Sequence, residues 1–456
     1  MRDQVALHRY LQRHTEPGLP VYSFTRPHWQ RVLVIPAYRE APALLEQLAR
    51  VPPGAGSTLV ILVLNRPDSD SDPLANADLR DAVAQSGLPQ ATRDSVSVYC
   101  LNPTTDLYLY DLEMLSGPTA QSQGVGLARK TGCDLALHWK QAGGIGGEWL
   151  YSTDADAILP QDFFAQLDDA LPGAVAAVFP FRHMPGADKA CNTATALYEL
   201  RLHHYVLGLE YARSPYAFHT LGSALAIRFG AYAHAHGFPK RAGAEDFYLL
   251  NKLAKLGPVA HLQGRCIELQ SRRSTRVPFG TGPAVAAIMA AENPHDTALF
   301  YHPQCFEALA AVLAILPALA ENPGQDIDSL MRELGEVEKR GQTPISAVTR
   351  QKATAALTGL GIAAALDHCR RQANSSAQFS RQFHQWFDGF RTLKFIHALR
   401  DGGLPLCSLA ELDDVEPSLW PSTREADLGS DPDYSDPNSS KVEALRQAVR
   451  DHWHWR

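Results

Sequence analysis

The chain has 456 residues, of which 45% are hydrophobic and 20% charged, and its formal net charge is −7. That length exceeds a single ordinary core and implies a large domain with a second region, while the balance of residue types is that of a soluble globular protein. The negative charge excludes bulk electrostatic attraction to nucleic acid or anionic lipid, though not a local basic pocket.

The N-terminal MRDQVALHRYLQRH is charged and has no apolar stretch of signal-peptide type, so residues 1–29 read as an extension. Arg31–Ile35 (RVLVI) is a buried strand ended by Pro36, and Leu44, Leu45 and Leu48 lie at helical spacing within 43–51. Pro52, Pro53 and Gly54 break that helix before a second apolar strand, Leu59–Leu64. Strand, short helix, strand implies a parallel pair covered by helices. The polar loop Arg66–Asp72 then lies at the carboxyl end of the second strand, where open α/β sheets bind ligands. A third strand falls at 97–101, a helix at 127–141 and a turn at the glycine-rich 143–147. Strands follow at 148–153, 174–181, 223–228 and 259–269, with helices at 191–211 and 246–256 among them. From about residue 285 the alternation stops, and helical periods cover 306–319, 329–340, 349–373 and 376–400.

Residues 413–440 are acidic and rich in Pro, Ser and Asp, which suits a linker or surface tail, and 441–455 suits a final short helix. The chain so divides into an α/β domain at 30–284, a helical region at 285–412 and a tail at 413–456. The longest apolar runs, Phe306–Ala320 and Ala353–Leu366, fall short of the roughly 20 residues of a membrane span and read as buried or amphipathic helices. Seven scattered cysteines without metal-ligand spacing suit a reducing cytoplasm.

Chemistry concentrates at Tyr151–Pro160 (YSTDADAILP), where Asp154 and Asp156 flank one alanine at the end of a strand. Like charges so close cost free energy unless they are solvated or hold a cation between them. Hard divalent cations take such oxygen ligands and share them with substrate phosphates. An isolated D-x-D is more often a solvated turn; here three further segments stand in order around it. VIPAYRE (Val34–Glu40) closes the first strand. GVGLARKTG (Gly124–Gly132) sets Arg129 and Lys130 near a helix start, where backbone N–H groups favour anions. GSALAIR (Gly222–Arg228) precedes GFPKRAGAEDFYLLNKLAKLG, with Glu245 and Asp246 opening a helix.

Together these segments resemble family 2 glycosyltransferases of the GT-A fold over roughly residues 30–270. The resemblance rests on P-x-x-x-E at Pro36–Glu40, A-R-x-x-G at Ala128–Gly132, T-D-A-D at Thr153–Asp156, G-S-x-x-x-x-R at Gly222–Arg228, and the Glu245-Asp246 pair. It implies a mixed, mostly parallel sheet flanked by helices, and a nucleotide-diphosphate sugar as donor. It implies Mn²⁺ or Mg²⁺ on Asp154 and Asp156, and Asp246, assisted by Glu245, as the base that activates an acceptor hydroxyl. The implied donor-binding set is Pro36, Tyr38, Glu40, Asn65, Arg129, Lys130, Asp154, Gly222 and Ser223. His261, on a strand after the Glu-Asp helix, stands where some such enzymes recruit a third metal ligand, although a core histidine is the commoner role. Arg272, Arg273 and Arg276 in SRRSTRVPFGTG suit either a solvated loop or recognition of a diphosphate or an anionic acceptor.

The chain departs from the family pattern in places. Asn65 replaces the usual base-contacting aspartate, and His236 stands where glycine is usual. The Q-x-x-R-W segment and the membrane helices of processive synthases are missing, which disfavours a polysaccharide synthase. Inverting transfer is the expectation. Alternatives are a retaining synthase of a small anionic glycoside, a sugar nucleotidyltransferase, and a non-catalytic protein on the same scaffold. The nucleotidyltransferase normally needs a glycine-rich loop after the first strand, which Pro36–Glu40 does not supply. The acceptor is open among small molecule, saccharide and lipid-linked types, as is the oligomeric state. A lipid-linked acceptor would place the protein at the periphery of the inner membrane.

Overall fold

The structure is a computed structural model and describes residues 2–53, 56–168, 172–274, 276, 280–321, 345–422 and 437–454. The chain forms two compact units. The first comprises residues 1–192, 220–284 and 453–456, and the second residues 193–219 and 285–452. The extension at 1–29 thus counts with the first unit, and most of the long helix at 189–211 counts with the second.

The first unit is built on a nine-stranded sheet. Its strands are β1 (Arg31–Ala37), β2 (Thr58–Leu64), β3 (Gln90–Arg93), β4 (Val96–Asn102), β5 (Thr105–Asp111), β6 (Trp149–Ser152), β8 (Ala176–Val178), β10 (Leu225–Arg228) and β11 (Val259–His261), in the order β11-β8-β10-β6-β1-β2-β5-β4-β3. Only β4 and β10 run against the rest, so the sheet is mixed and mostly parallel. A small second sheet joins β7 (Ala157–Ile158), β12 (Ile267–Gln270) and β9 (Phe181–Met184). The helices of this unit are α1 (Arg2–Arg13), α2 (Leu44–Ala49), α3 (Ala77–Gln85), α4 (Leu112–Ser116), α5 (Gly124–Gln141), α7 (Phe229–His234) and α8 (Glu245–Leu253), with α6 (Lys189–Tyr211) crossing into the second unit.

The unbroken apolar sequences of β1 and β2 follow from burial on both faces. Leu33 and Ile35 pack with Leu44 and Leu48 of α2 and Leu79 of α3. On the opposite face Val34 and Val63 lie against α5, so closely that a Cβ on Gly132 would fall 2.5 Å from Val34. Helices therefore cover both faces, and the carboxyl ends of β1, β2 and β6 meet at one edge, which positions the site.

Several elements differ from the sequence reading. The N-terminal extension opens with the helix α1, where Leu7 and Tyr10 are the buried positions among the described residues. Strand β5, not 97–101, pairs with β2, while β4 pairs antiparallel with β5. The runs 174–181 and 259–269 each split into two strands that join different sheets. Pro36 continues β1 rather than ending it.

The second unit is helical, with helices at Gln304–Ala314, Leu316–Glu321, Ala347–Gly359, Ile362–Gln372, Ser376–Trp386, Gly389–Asp401 and Pro437–His454. Gly361, at φ 83°, and the N-cap Asp388 divide what reads in sequence as two long helices into four. Phe306, Leu309, Phe379, Phe383, Phe395 and Ile396 centre its core. The C-terminal helix is tied to this unit by Arg446, which donates to Glu199 at 2.7 and 3.1 Å. Among the described residues, Gln304–Glu321 has the length and hydropathy of a membrane span, and half of it is buried in this core. The helix read at 329–340, and residues 423–436 of the tail, lie outside the described residues. Every one of the seven cysteines is a free thiol.

Candidate functional site

Strand β6 ends at Ser152, and the chain turns through Thr153, Asp154 and Asp156 at the carboxyl edge of the sheet. Because β6 lies between β1 and β10, this turn sits at the centre of the edge. Two elements converge on it. Helix α5 carries Arg129, and α8 opens with Glu245 and Asp246 immediately after Ala244, whose φ of 55° is a left-handed value that side chains tolerate poorly.

Arg129 is the junction of these parts. Its Nε donates to Glu245 at 2.9 Å, and Nη1 donates to Ser152 Oγ at 2.8 Å and to the Gly222 carbonyl at 3.0 Å. Nη2 donates to Asp154. The guanidinium is 3% exposed, against 39% for the Asp154 side chain. Burial opposes its charge, but Asp154, Glu245 and Asp246 more than offset that, so Arg129 stays a cation. Gly222 fits this junction because it has no side chain, since a Cβ there would meet Arg129 Nη2 at 2.6 Å.

Asp246 lies beside this junction. One carboxylate oxygen accepts from the Gly222 amide at 2.7 Å and the other from the Phe247 amide at 2.7 Å. Burial, with the neighbouring Glu245 second, pushes its carboxyl up to about 7, despite those two N–H bonds and Arg129. Such a group exchanges a proton near neutral pH, the property a general base needs.

A second cluster surrounds Asp156. Arg272 donates to one of its oxygens through Nε at 2.9 Å and Nη2 at 2.6 Å. Arg272 also comes within 4.0 Å of Glu40, which accepts from Arg276. Burial raises the Glu40 carboxyl, with the two arginines opposing. Around the edge, Asp154, Asp156, Glu245, Asp246 and Glu40 therefore face Arg129, Arg272 and Arg276, which leaves an acidic excess.

That excess bears on whether the site suits a divalent cation. The described bonds use one oxygen each of Asp154 and Asp156, and both side chains are partly exposed. The residues fit Mn²⁺ or Mg²⁺ as a pair of hard oxygen donors, with the remaining positions left to substrate oxygens and water. Among the described residues no group of three or more His, Cys, Asp or Glu forms a protein-only metal cage.

Other sequence-derived residues fall elsewhere. Lys130 points away from the acidic edge, with its three N–H bonds going to the Tyr10 hydroxyl at 2.8 Å, the His14 carbonyl at 2.7 Å and Asp134 at 2.7 Å. It has no proton left for a diphosphate; one step along a helix turns a side chain by about 100°. His261 shares a sheet row with Ser152, by way of Leu225 and Val178. It is thus three strand spacings away, about 14 Å between backbones, and does not join the aspartates. Arg273 pairs with Asp188 on the surface at 2.9 Å. Gly222 and Ser223 act through backbone atoms, the Ser223 carbonyl accepting from Thr153 Oγ1 at 2.8 Å.

On the strands next to β6, Pro36 lies within β1, and Asn65, just after β2, is buried, its carbonyl accepting from Asn76 at 3.0 Å. The Tyr38 hydroxyl donates to Asp70 at 2.6 Å, and Arg39 donates to the same carboxylate at 2.8 and 2.9 Å. Asp70 and Ser152 are participants the sequence reading passed over. Asp70 lies in the polar loop after β2, which flagged the region but not the residue.

No known protein-family profile matches the chain, and no curated protein matches it in sequence. Solved structures do resemble it in fold. The structure of S. aureus TarS residues 1–349 in complex with UDP-GlcNAc is 14% identical, with 75% of this chain and 89% of that chain covered and a TM-score of 0.36. The mannosyltransferase PcManGT from Pyrobaculum calidifontis, in complex with GDP-Man and Mn²⁺, is 15% identical, with 84% and 94% covered and a TM-score of 0.34.

Proposed function

We propose that the acidic edge transfers a sugar from a nucleotide-diphosphate sugar to an acceptor hydroxyl, with inversion at the anomeric carbon. The observation that carries this reading is the Arg129 junction, which draws Asp154 of the D-x-D turn and the Glu245-Asp246 pair into one site. Metal-assisted transfer with a general base uses those two kinds of carboxylate side by side. One side handles the diphosphate, and the other handles the acceptor proton.

Asp154 and Asp156 would hold Mn²⁺ or Mg²⁺, which when bound neutralises charge on a diphosphate leaving group. Arg129 holds Asp154 and Glu245 in fixed relation, and acts as a positioning residue rather than as the diphosphate ligand the sequence suggests. Asp246 takes the proton of the acceptor hydroxyl, whose oxygen forms the new bond to the anomeric carbon as the bond to the diphosphate oxygen breaks. The raised Asp246 carboxyl suits that role, because a base near neutrality binds the proton it removes. Tyr38, Glu40 and Asn65 stand toward the nucleoside end. Arg272 and Arg276, now on Asp156 and Glu40, are within reach of any anion that enters between those carboxylates.

Asp246→Asn tests the assignment. It should lower transfer about 10²- to 10⁴-fold, the usual weight of a positioned base, with nucleotide binding unchanged. Turnover equal to the parent would remove Asp246 from the mechanism.

A further inference from the structure

A cavity of about 520 Å³ lies away from the acidic edge, between α1 and the end of α7. That volume is within the range of small-molecule sites. Val5, Arg9, Tyr10, His14, His234 and His236 line it.

His236 follows the C-cap of α7 and has a φ of 62°. Glycine is the usual residue at such a left-handed helix end, because it carries no steric penalty there. The next residue, Gly237, has no such choice, since a Cβ there would fall 2.4 Å from the Tyr10 hydroxyl. The histidine at 236 therefore holds a strained position that glycine would relieve, and strain of this kind is retained where the side chain has a use.

What the imidazole does there is visible. It stacks on His14, with ring centroids 4.1 Å apart and planes 14° from parallel. Each ring has an edge nitrogen that can donate an N–H to an oxyanion placed beside the stack. Arg9 reaches the same cavity and has no hydrogen-bond or ion-pair partner among the described residues. Lys252 adds positive charge nearby, its amine donating to the Ala235 carbonyl at 3.2 Å. Two acidic side chains stand nearby, both outside the lining. Asp3 lies on the rim, 3.7 Å from His234, and Glu16 lies 3.3 Å from Lys240. Val5, half exposed, and the ring of Tyr10 supply apolar wall. A corner with an unpaired guanidinium, stacked imidazoles and an apolar wall is complementary to one kind of ligand.

We propose that this cavity binds a small organic oxyanion, a phosphate ester or carboxylate with an apolar group, independently of the acidic edge. The charged head lies against Arg9, His14 and His236, and the apolar group against Val5 and Tyr10.

The test is calorimetric titration of the full chain in EDTA with phenyl phosphate, benzoate and, as the neutral control, benzyl alcohol. Arg9→Ala and His236→Gly are measured beside the parent. At least one of the two anions should bind saturably and the alcohol should not, and each variant should weaken binding about tenfold, a loss of about 1.4 kcal/mol. His236→Gly should at the same time raise the thermal midpoint, so that lost binding cannot be ascribed to lost structure. Preference between phenyl phosphate and benzoate names the head group. Absence of saturable binding by both anions, or binding that both variants leave unchanged, overturns the proposal.

Discussion

Arg129 and Lys130 are neighbours on α5, and each is buried in a polar network of a different kind. Around Lys130 the network closes on itself. The ammonium meets the buried carboxylate of Asp134, with Glu16 3.8 Å away and itself paired with Lys240, and its other two protons go to Tyr10 and a carbonyl. Around Arg129 it stays unbalanced, with one guanidinium facing Asp154, Glu245 and Asp246. The balanced network joins α1 to α5 and is part of the fold. The unbalanced one has negative charge left over at a partly exposed edge, which an incoming cation or proton can satisfy. On the proposed function, surplus charge, rather than burial or charge alone, separates the acidic edge from a structural ion pair.

The sharpest way to break this comparison is to remove each cation in turn. Arg129→Met and Lys130→Met both strip a buried carboxylate of its partner, and each should cost about 3–5 kcal/mol of stability in denaturant unfolding. Only Arg129→Met should also abolish transfer per folded molecule, because only there do Asp154 and Glu245 lose their common anchor. If Lys130→Met inactivates the folded protein equally, the two networks are not different in kind.

The pH profile sharpens the same contrast. As a base Asp246 must be ionised, so transfer should rise as pH increases through about 7 and then level off. The linkage to stability has the opposite sign. A carboxyl raised in the folded state, against about 3.9 unfolded, keeps its proton longer there, so stability should fall between about pH 4 and pH 7. Asp246→Asn should flatten both curves, and a rate profile with no inflection near neutrality would argue against the base.

Arg272 offers a smaller effect. It occupies one oxygen of Asp156 through two N–H bonds, and so competes with a cation for that carboxylate. Arg272→Ala should tighten Mn²⁺ binding without nucleotide about tenfold, worth about 1.4 kcal/mol. Equal Mn²⁺ affinity in the two proteins would show that Arg272 does not guard the site.

Much of this was legible in the sequence. Unbroken apolar runs marked β1 and β2, because strands buried on both faces have no polar side to show. The D-x-D turn and the Glu-Asp helix start were visible because they are local patterns. The rest was hidden for physical reasons. Arg129 and Glu245 are 116 residues apart, and nothing in the local sequence states which way either points. Lys130 carried the same helix-start signal as Arg129, and only the turn of the helix separates their roles. Strand β5, TDLYLYD, gains its place from pairing with β2 rather than from a long apolar run. Helix α1 is polar along most of its length and is fixed by Tyr10, whose partners lie more than a hundred residues away.

The most direct test of the central claim is calorimetric titration of the intact chain with UDP and GDP, with and without Mn²⁺, beside Asp154→Ala/Asp156→Ala and Lys130→Met. The account predicts that one diphosphate binds only with Mn²⁺, that the double aspartate variant loses this binding, and that Lys130→Met keeps it. Binding that ignores the metal and survives loss of both aspartates would contradict it, as would the absence of any nucleotide binding.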